Sequence, residues 1–183
     1  NIFKELSRIA YNSGLKNFSI NDYKFGMKLS SLGEYAYNIG GLPSCKFEVI
    51  IDLTQDKDII HSNLRKSYKS LINQGERETE FTIINIDNLD RKQFEAYRSF
   101  HKRVAGRTTR TVESWEVQFQ MIEIGCAELI MGKMKSYGLV SSTFCKDHGD
   151  TTFYGAGVYD RDLFHIPLGH ASVYKSILRA KDR

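Results

Sequence analysis

Residues 127–159, AELIMGKMKSYGLVSSTFCKDHGDTTFYGAGVY, decide the fold of this chain. Three runs rich in apolar residues lie within them, at Ala127–Met134, Leu139–Cys145 and Thr151–Tyr159. The two connections, KSYG and KDHGD, have hairpin length and carry the Gly, Ser and Asp residues that favour tight turns. The stretch therefore predicts three consecutive strands that form an antiparallel meander.

Upstream of the meander, the pattern predicts one more strand and two helices. The strand covers Glu80–Ile86, and Asp87 or Asn88 caps a helix that ends at Gly106. A second helix follows a polar connection and ends at Gly125. Two consecutive helices are therefore predicted between this strand and the meander.

Downstream of the meander, Pro167 predicts the first turn of a last helix, where a missing N–H costs nothing. The final residues, Ser176–Arg183, continue this helix without a stop signal, so we expect the chain to be truncated inside it. The order strand, helix, helix, three strands, helix predicts a mixed α/β chain of the α+β class. Its sheet is mostly antiparallel and flanked by helices.

Before this region, polar and apolar residues alternate at the start of Lys46–Leu53 (KFEVIIDL), and mostly apolar residues follow. This pattern predicts a buried strand. Thr54 follows as an N-cap, and the helix that it starts has an apolar side and ends at Gly75. The opposite side of this helix is basic and carries Arg65, Lys66 and Lys69.

The composition is that of an ordinary globular protein. Hydrophobic residues make up 41% and charged residues 26% of the 183 residues, which excludes the disordered and fibrous classes. The formal net charge of +4 permits an anionic partner such as a nucleotide, a phosphate or RNA. No run approaches the roughly 18 apolar residues of a membrane helix, so we expect no membrane span.

The three cysteines are Cys45, Cys126 and Cys145. They are odd in number and far apart, which favours reduced thiols in a cytoplasmic protein over a disulfide framework. Zinc ligands usually come in close-spaced pairs, so we predict no metal site.

Four motifs and one linking segment carry a resemblance to a known family. The motifs are FHKRVAGRTTR (100–110), ESW (113–115), YGAGVYDR (154–161) and PLGH (167–170). With the predicted order of elements, they resemble the FemAB-like branch of the GNAT acyltransferase superfamily. Residues 51–54 and the basic helix at 63–72 resemble the strand and Lys/Arg-rich helix that join the two halves of Fem proteins.

The resemblance implies a domain organisation and an activity. Residues 1–45 are a loop-rich part of a preceding half-domain, 46–78 are the link, and 79–183 are a GNAT-like domain that is incomplete at its C-terminus. The implied enzyme is an acyltransferase of cell-envelope and peptidoglycan biogenesis, which forms an amide on an amine of a cell-envelope or sugar-nucleotide precursor. Its acyl donor is a co-substrate, aminoacyl-tRNA or acyl-coenzyme A, so no cofactor is bound permanently and tRNA is a candidate partner.

The catalytic candidates are Asp160, His170 and His101. Asp160 follows the last strand of the meander, where a carboxylate can orient or deprotonate an amine; a turn salt bridge is the alternative. His170 follows the start of the last helix, whose free N–H groups form an anion site, but it is equally explained as a packed polar residue. His101 lies with Arg107 and Arg110 in the region that shapes the acceptor pocket in the superfamily.

The substrate-binding candidates are Arg107, Arg110, Tyr154, Gly155, Gly157 and Arg161. In GNAT-like sheets a backbone N–H of the last meander strand binds the oxyanion, and the two glycines suit close approach of a ligand. They are equally explained by a bulge or by local crowding. The arginines can bind phosphate or carboxylate, or they form a solvated basic turn. Trp115 is interpreted as a core residue, with a stacking platform as the alternative.

Arg65, Lys66 and Lys69 form the candidate site for RNA or another anion, although such a helix face is often only solvated.

Two alternative functions remain for the chain. One is a non-catalytic GNAT-fold module that binds RNA or a partner protein. The other is a coenzyme A-dependent small-molecule N-acetyltransferase, although residues 165–171 (HIPLGHA) stand where such enzymes carry a Gly-rich turn.

Overall fold

The structure, a computed structural model, describes residues 2–14, 19, 29–44 and 48–183. It divides into two compact units, residues 1–50 and residues 51–183. The described part of the first unit contains helices α1 (Ile2–Asn12) and α2 (Ser31–Asn38). Ser30 caps α2, because its side chain accepts a hydrogen bond from the Gly33 N–H.

Every residue of the second unit is described, and it contains the sheet. Its helices are α3 (Lys57–Ser62), α4 (Lys66–Glu78), α5 (Arg91–Ala105), α6 (Val112–Glu123) and α7 (Leu168–Asp182). Its strands are β1 (Glu80–Ile84), β2 (Ala127–Met134), β3 (Gly138–His148) and β4 (Thr151–Tyr159). Short 3₁₀ helices follow β1 and β4, at Ile86–Asn88 and Arg161–Leu163.

The four strands form one antiparallel sheet in the order β1-β2-β3-β4. The predicted meander and the α+β class are therefore confirmed. β1 and β4 are the edges of this sheet within the described residues, so one side of each strand has backbone groups that face away from its partner.

Helices α5 and α6 cover one face of the sheet with an aromatic core. Phe94 and Tyr97 of α5 are fully buried, and they pack edge-on against Trp115 of α6 at ring-centroid distances of 6.4 and 5.5 Å. Trp115 is 4% exposed, so the structure places it in the core. The cap assignment predicted for α5 is wrong by a few residues, because β1 ends at Ile84 and Asp90 accepts the capping bond from Gln93 N–H.

Helices α7 and α4 pack together on the opposite face of the sheet. The predicted helix stop at Gly75 is wrong, because α4 continues to Glu78 and Gly75 is buried within it. A methyl group at Gly75 would lie 2.7 Å from the Ala171 Cβ atom, so the residue is small because α7 lies against it. Close helix contact, rather than a left-handed cap, explains this glycine.

The strand predicted at Lys46–Leu53 is wrong for the residues that the structure describes. Lys46 and Phe47 lie outside them, and residues 48–53 form no strand. Val49 is 94% exposed, so this apolar side chain is not packed as it would be in a buried strand. A strand needs a neighbour to bond its backbone, which a pattern of apolar residues does not supply.

The single helix predicted from Thr54 is interrupted. Thr54 donates its N–H and its hydroxyl to the Asp52 carboxylate, so it belongs to a turn. Asp56 precedes the short helix α3 instead, and α4 starts only after Arg65.

A buried carboxylate fixes the last turn of α7 to the sheet. Glu128 of β2 is 3% exposed and accepts a 2.6 Å hydrogen bond from Arg179. Arg183 pairs with the same carboxylate, and Asn85 donates to it over 3.3 Å. Burial alone would raise the pKa of Glu128, but the Arg179 hydrogen bond and the two guanidinium charges outweigh it, and the net shift is downward.

Among the helices of the described residues, none combines the length and the apolar character that a membrane crossing requires.

Candidate functional site

A cleft open to solvent lies where β4 ends and α7 begins. Its volume is about 230 Å³. It is lined by Tyr159, Phe164, Ile166, Pro167, Leu168, Gly169 and His170. Apolar and aromatic side chains therefore form its walls, and the first turn of α7 contributes backbone N–H groups and a histidine.

β4 is bulged at Gly155, four residues before Tyr159 of the cleft. Phe144 of β3 pairs with Ala156 and Cys145 pairs with Tyr154, so Gly155 has no partner in the register. A Cβ atom at Gly155 would lie 3.2 Å from the Phe144 carbonyl oxygen, which is tighter than a side chain tolerates easily. Gly155 therefore occupies a β-bulge, one of the two explanations given for this glycine. It is also exposed at the edge of the sheet, where a ligand can reach its backbone.

Gly157 lies directly under the side chain of Tyr154. A Cβ atom there would lie 1.7 Å from the Tyr154 hydroxyl and 2.8 Å from the Tyr159 hydroxyl. The Tyr154 phenol therefore occupies the space that a side chain at position 157 would need, although Gly157 itself is exposed. Local crowding on that face accounts for Gly157.

Tyr154 and Tyr159 join a chain of hydroxyl groups. Their phenolic oxygens are 2.9 Å apart, and the Tyr159 oxygen lies 3.4 Å from Thr143 Oγ1 of β3. Thr143 Oγ1 lies 2.8 Å from Ser172 Oγ of α7. This hydroxyl chain (Tyr154, Tyr159, Thr143 and Ser172) links the sheet edge to the buried side of α7.

Asp160 is held in place by its neighbours. It is 8% exposed, its carboxylate accepts the Asp162 N–H over 3.2 Å, and it pairs with Arg103 of α5 over 3.2 Å. The Arg103 guanidinium also donates to the Leu139 carbonyl and lies over the Phe100 ring. Asp160 therefore forms a salt bridge, as the alternative interpretation of this residue predicts. Arg161, next in sequence, is exposed.

His170 contacts the basic helix. Its imidazole meets the Tyr68 ring of α4 edge-on at 5.3 Å, and the Arg65 guanidinium lies 5.9 Å from the centre of that same ring. Lys66 is exposed, whereas the Lys69 ammonium donates to the Ser62 carbonyl over 3.0 Å. Arg65, one residue of the predicted anion site, is therefore connected to His170 of the cleft through Tyr68. Tyr68 was not predicted as a site residue.

His101 and Arg110 form a separate cluster where α5 meets α6. Arg110 donates to His101 Nε2 over 3.0 Å, which leaves the ring proton on Nδ1, 3.2 Å from Thr109 Oγ1. Burial and the Arg110 charge both lower the pKa of His101, so the ring is neutral near pH 7. Because both ring nitrogens are engaged, His101 acts in this arrangement as a connector between α5 and the following loop.

The predicted residues therefore fall into two groups. Tyr154, Gly155, Gly157, Asp160, Arg161 and His170 follow the line from β4 to α7, and Arg65 joins them through Tyr68. Arg107 is exposed in the turn before α6, and Arg110 stacks on Trp115 at 5.2 Å. Within the described residues no hydrogen bond or ion pair joins His101, Arg107 or Arg110 to Asp160 or His170.

The thiols and acids form no metal cluster in the part of the chain that the structure describes. Cys126 and Cys145 are free thiols there, Cys145 is buried, and Cys45 lies outside the described residues. Burial raises the pKa of Cys145, so this thiol is protonated and unreactive at neutral pH.

Sequence comparisons give no family assignment. No protein-family model matches the chain, and no curated protein is significantly similar to it.

Proposed function

We propose that this chain belongs to a FemAB-like acyl- or aminoacyltransferase of the GNAT superfamily, which forms an amide on an amine of a cell-envelope or sugar-nucleotide precursor. The arrangement of the second unit supports this proposal. Two helices separate β1 from the meander and α7 follows β4, an order that resembles the first part of a GNAT fold.

The cleft between the end of β4 and the start of α7 is the observation that carries the proposal. Tyr159 at the end of the edge strand β4 forms part of one wall, and the first turn of α7 forms another. The bulge at Gly155 lies four residues earlier in the same strand. Amide formation needs a place where an acyl carbonyl meets backbone donors and an amine together. The edge of β4 supplies unpaired backbone groups, and Asp160 lies at the end of the same strand.

Cationic and aromatic groups beside the cleft fit an anionic acyl donor. Arg65, Tyr68 and His170 stand in a row from α4 to α7. Aromatic rings stack on nucleobases, and guanidinium groups bind phosphates, so this row suits the nucleotide end of a donor. We favour aminoacyl-tRNA as the donor, with acyl-coenzyme A as the alternative, and a cytoplasmic location follows from either donor.

Asp160 is the proposed partner of the acceptor amine. The Arg103 guanidinium pairs with its carboxylate and the Asp162 N–H orients it, so the group is fixed at the end of β4 on the side of α5 and is not among the residues that line the cleft. Arg161, exposed beside it, is the proposed contact for an acidic group of the acceptor. Arg107 and Arg110 stay proposed acceptor contacts on the α5–α6 side of the unit.

An amide-formation assay tests the proposal. The protein is incubated with alanyl-tRNA or acetyl-coenzyme A and a panel of amines that includes amino-sugars and lysine-containing peptides, and products are detected by mass spectrometry. We expect product with at least one donor, and a loss of about 10-fold in kcat/KM for His170→Ala. His148→Ala, an exposed histidine at the end of β3, is the matched control and should retain activity. The absence of product with both donors across the panel would contradict the proposal.

The second candidate is a non-catalytic module that binds RNA through the basic helix. The exposed Lys66 and the Arg65–Tyr68 stack favour it. Charge reversal by Lys66→Glu with Lys69→Glu should then abolish RNA binding in a salt-dependent assay. If binding is lost in this variant while no donor gives product, the module is favoured over the enzyme.

A further inference from the structure

The arginine at the end of the loop between α5 and α6 has no acidic partner in the described part of the chain. Arg110 is partly exposed, and no carboxylate among those residues forms an ion pair with it or with the exposed Arg107. Its side chain makes one hydrogen bond there, to His101 Nε2 over 3.0 Å. Because a guanidinium carries five N–H donors, most of its donors are available to a ligand.

An aromatic surface holds this guanidinium in place. It lies 5.2 Å from the centre of the Trp115 ring, and Trp115 is 4% exposed. Trp115 also meets the His101 ring edge-on at a centroid distance of 5.2 Å, and the Tyr97 ring meets both rings in the same way. A guanidinium that already stacks on the core loses less conformational freedom when it binds an anion than a fully solvated arginine does.

The acids of α5 and α6 that lie nearest in sequence are already engaged. Glu95 and Glu116 both pair with Arg91, at the opposite end of α5 from the loop. Glu113 lies in the first turn of α6, where hydrogen bonds from its own backbone N–H and from the Thr111 hydroxyl lower the pKa of its carboxyl group. Within the described residues, the positive charge of the loop is therefore left without a counter-ion.

The hydrogen bond between Arg110 and His101 has a fixed direction. A guanidinium only donates, so His101 Nε2 accepts, and the ring proton lies on Nδ1, 3.2 Å from Thr109 Oγ1. Burial and the Arg110 charge both lower the pKa of His101, which agrees with a neutral ring. For a guanidinium, an anion is a stronger acceptor than a neutral imidazole nitrogen, because both partners are then charged. An oxyanion can therefore displace Nε2 from Arg110.

We propose that Arg110 and His101 form a binding site for the oxyanion of a small acid, a carboxylate or a phosphate, and that His101 takes up a proton when the anion binds. Arg110 turns two of its N–H groups to the anion, which leaves Nε2 of His101 without a partner. Nε2 then takes a proton from solvent and donates it in a further hydrogen bond to the anion, while Nδ1 keeps its bond to Thr109. One proton is bound for each anion, and no bond within the ligand breaks.

The anion site deepens the proposed function at one point. In the proposed transferase, the bound oxyanion is an acidic group of the acceptor, and this assignment rests on the transferase activity. The site itself does not rest on that activity, because anion binding is measured without a donor or an amine.

Proton uptake makes the affinity depend on pH. His101 is neutral in the free protein, and the bound anion favours the imidazolium and raises its pKa. The affinity is therefore highest below the pKa of His101 in the free protein, and it falls as the pH rises through the pKa in the complex.

The other charged and titratable groups around His101 do not explain such a dependence. The pKa values of Tyr97 and Tyr154 are raised and that of Glu113 is lowered, so none of the three titrates between about pH 5 and pH 8. The groups come from α5, the loop, α6 and β4, which also packs against α5, and they are Tyr97, Arg98, Lys102, Arg107, Arg110, Glu113 and Tyr154.

Imidazole NMR measures the proton uptake directly. Long-range ¹H–¹⁵N spectra of the labelled protein are recorded against pH in sodium chloride, sodium acetate and sodium sulfate at the same ionic strength of about 0.15 M, and His101→Gln assigns the signal. Acetate presents a carboxylate, and sulfate presents a tetrahedral oxyanion whose charge is constant over the titration. We expect acetate, sulfate or both to raise the pKa of His101 by about 1 pH unit relative to chloride, which corresponds to about 10-fold tighter binding to the protonated form.

Arg110→Gln tests the role of the guanidinium. In this variant the anions should change the pKa of His101 by less than about 0.2 pH unit. Arg110→Lys keeps the charge and loses the planar fork, so it should retain only part of the response. Arg77→Gln removes the same charge from an exposed position on α4, and as the matched control it should behave like the wild type. The fluorescence of Trp115, the only tryptophan in the sequence, follows the same titrations because its ring contacts both groups.

The outcomes separate the anion site from the proposed function. A pKa of His101 that is the same in all three salts, or a response that Arg110→Gln retains in full, overturns the anion site and leaves the transferase proposal standing. A response to acetate alone supports the site with a carboxylate as its ligand, and a response to sulfate alone supports it with a phosphate. A protein that shows the response but forms no amide with any donor and amine overturns the transferase proposal and leaves the anion site standing.

Discussion

Replacing Glu128 with Ala is expected to lower the free energy of unfolding by about 3 kcal/mol. The carboxylate is almost completely buried and accepts hydrogen bonds from Arg179 and Asn85, and Arg183 pairs with it. Removing one partner of a buried ion pair leaves charge that the interior does not compensate. The expected loss is at the low end of the range for such pairs, because the Arg179 and Arg183 side chains are 29% and 27% exposed and can turn to water. Urea unfolding followed by circular dichroism measures it.

The same carboxylate should make stability depend on pH. Its pKa is lowered in the folded protein, so its contribution is present above the ordinary glutamate pKa and is lost as the pH falls through the lowered value. The stability difference between the wild type and Glu128→Ala should therefore shrink on acidification below about pH 4.5. Glu78→Ala, an exposed acid on α4, is the control and should change stability by less than about 0.5 kcal/mol at either pH. A constant difference between pH 7 and pH 3 would contradict the role of the ion pair.

Replacing Phe94 with Ala is expected to cost about 4 kcal/mol of unfolding free energy. Phe94 is fully buried at the centre of the aromatic core, with its ring centroid 5.1 Å from Phe119 and 5.7 Å from Tyr97. The substitution removes these edge contacts and leaves a cavity that the neighbouring rings fill only in part. Denaturant unfolding at 25 °C gives the value, and a loss below about 1 kcal/mol would contradict this description of the core.

Tyr97→Phe is the matched control for Phe94→Ala, because it keeps the ring and removes only a hydroxyl. That hydroxyl is buried and has no hydrogen-bond partner among the described residues, and burial raises the pKa of Tyr97 to about 12. Since an unsatisfied buried hydroxyl is itself costly, we expect the stability to rise slightly or to stay within about 1 kcal/mol. A large loss would mean that the hydroxyl has a role that its contacts do not indicate.

The sequence predicts the parts of the fold that local rules determine. The meander strands, the left-handed Gly106 that ends α5 and the position of Pro167 at the start of α7 follow from turn residues and caps. The parts that depend on a distant partner are not predictable in this way. The apolar residues at 48–53 form no strand, and Gly75 lies inside a helix, where the contact with Ala171 explains why the residue is small.

The candidate site is predictable only in outline for the same reason. The motif at 154–161 places Tyr154 and the glycines beside one another, but alternation assigns Tyr154 and Tyr159 to opposite faces. Only the observed register reveals the bulge that puts the two hydroxyls 2.9 Å apart. In the sequence, Thr143 and Ser172 are ordinary residues of a strand and a helix, and Tyr68 belongs to the apolar side of the basic helix. No signal in the sequence connects them to the cleft.

In the proposed transferase, an acyl donor binds between the end of β4 and the first turn of α7. The most direct test is a titration of ¹⁵N-labelled protein with a stable amide analogue of alanyl-adenosine and, separately, with coenzyme A, followed by backbone amide NMR. We predict that the resonances of Gly155, Gly157, Gly169 and His170 shift with at least one of the two, whereas those of Gly106 and Gly125 do not. Shifts confined to residues 101–110, or no shift at millimolar concentrations of either compound, would contradict donor binding at the cleft.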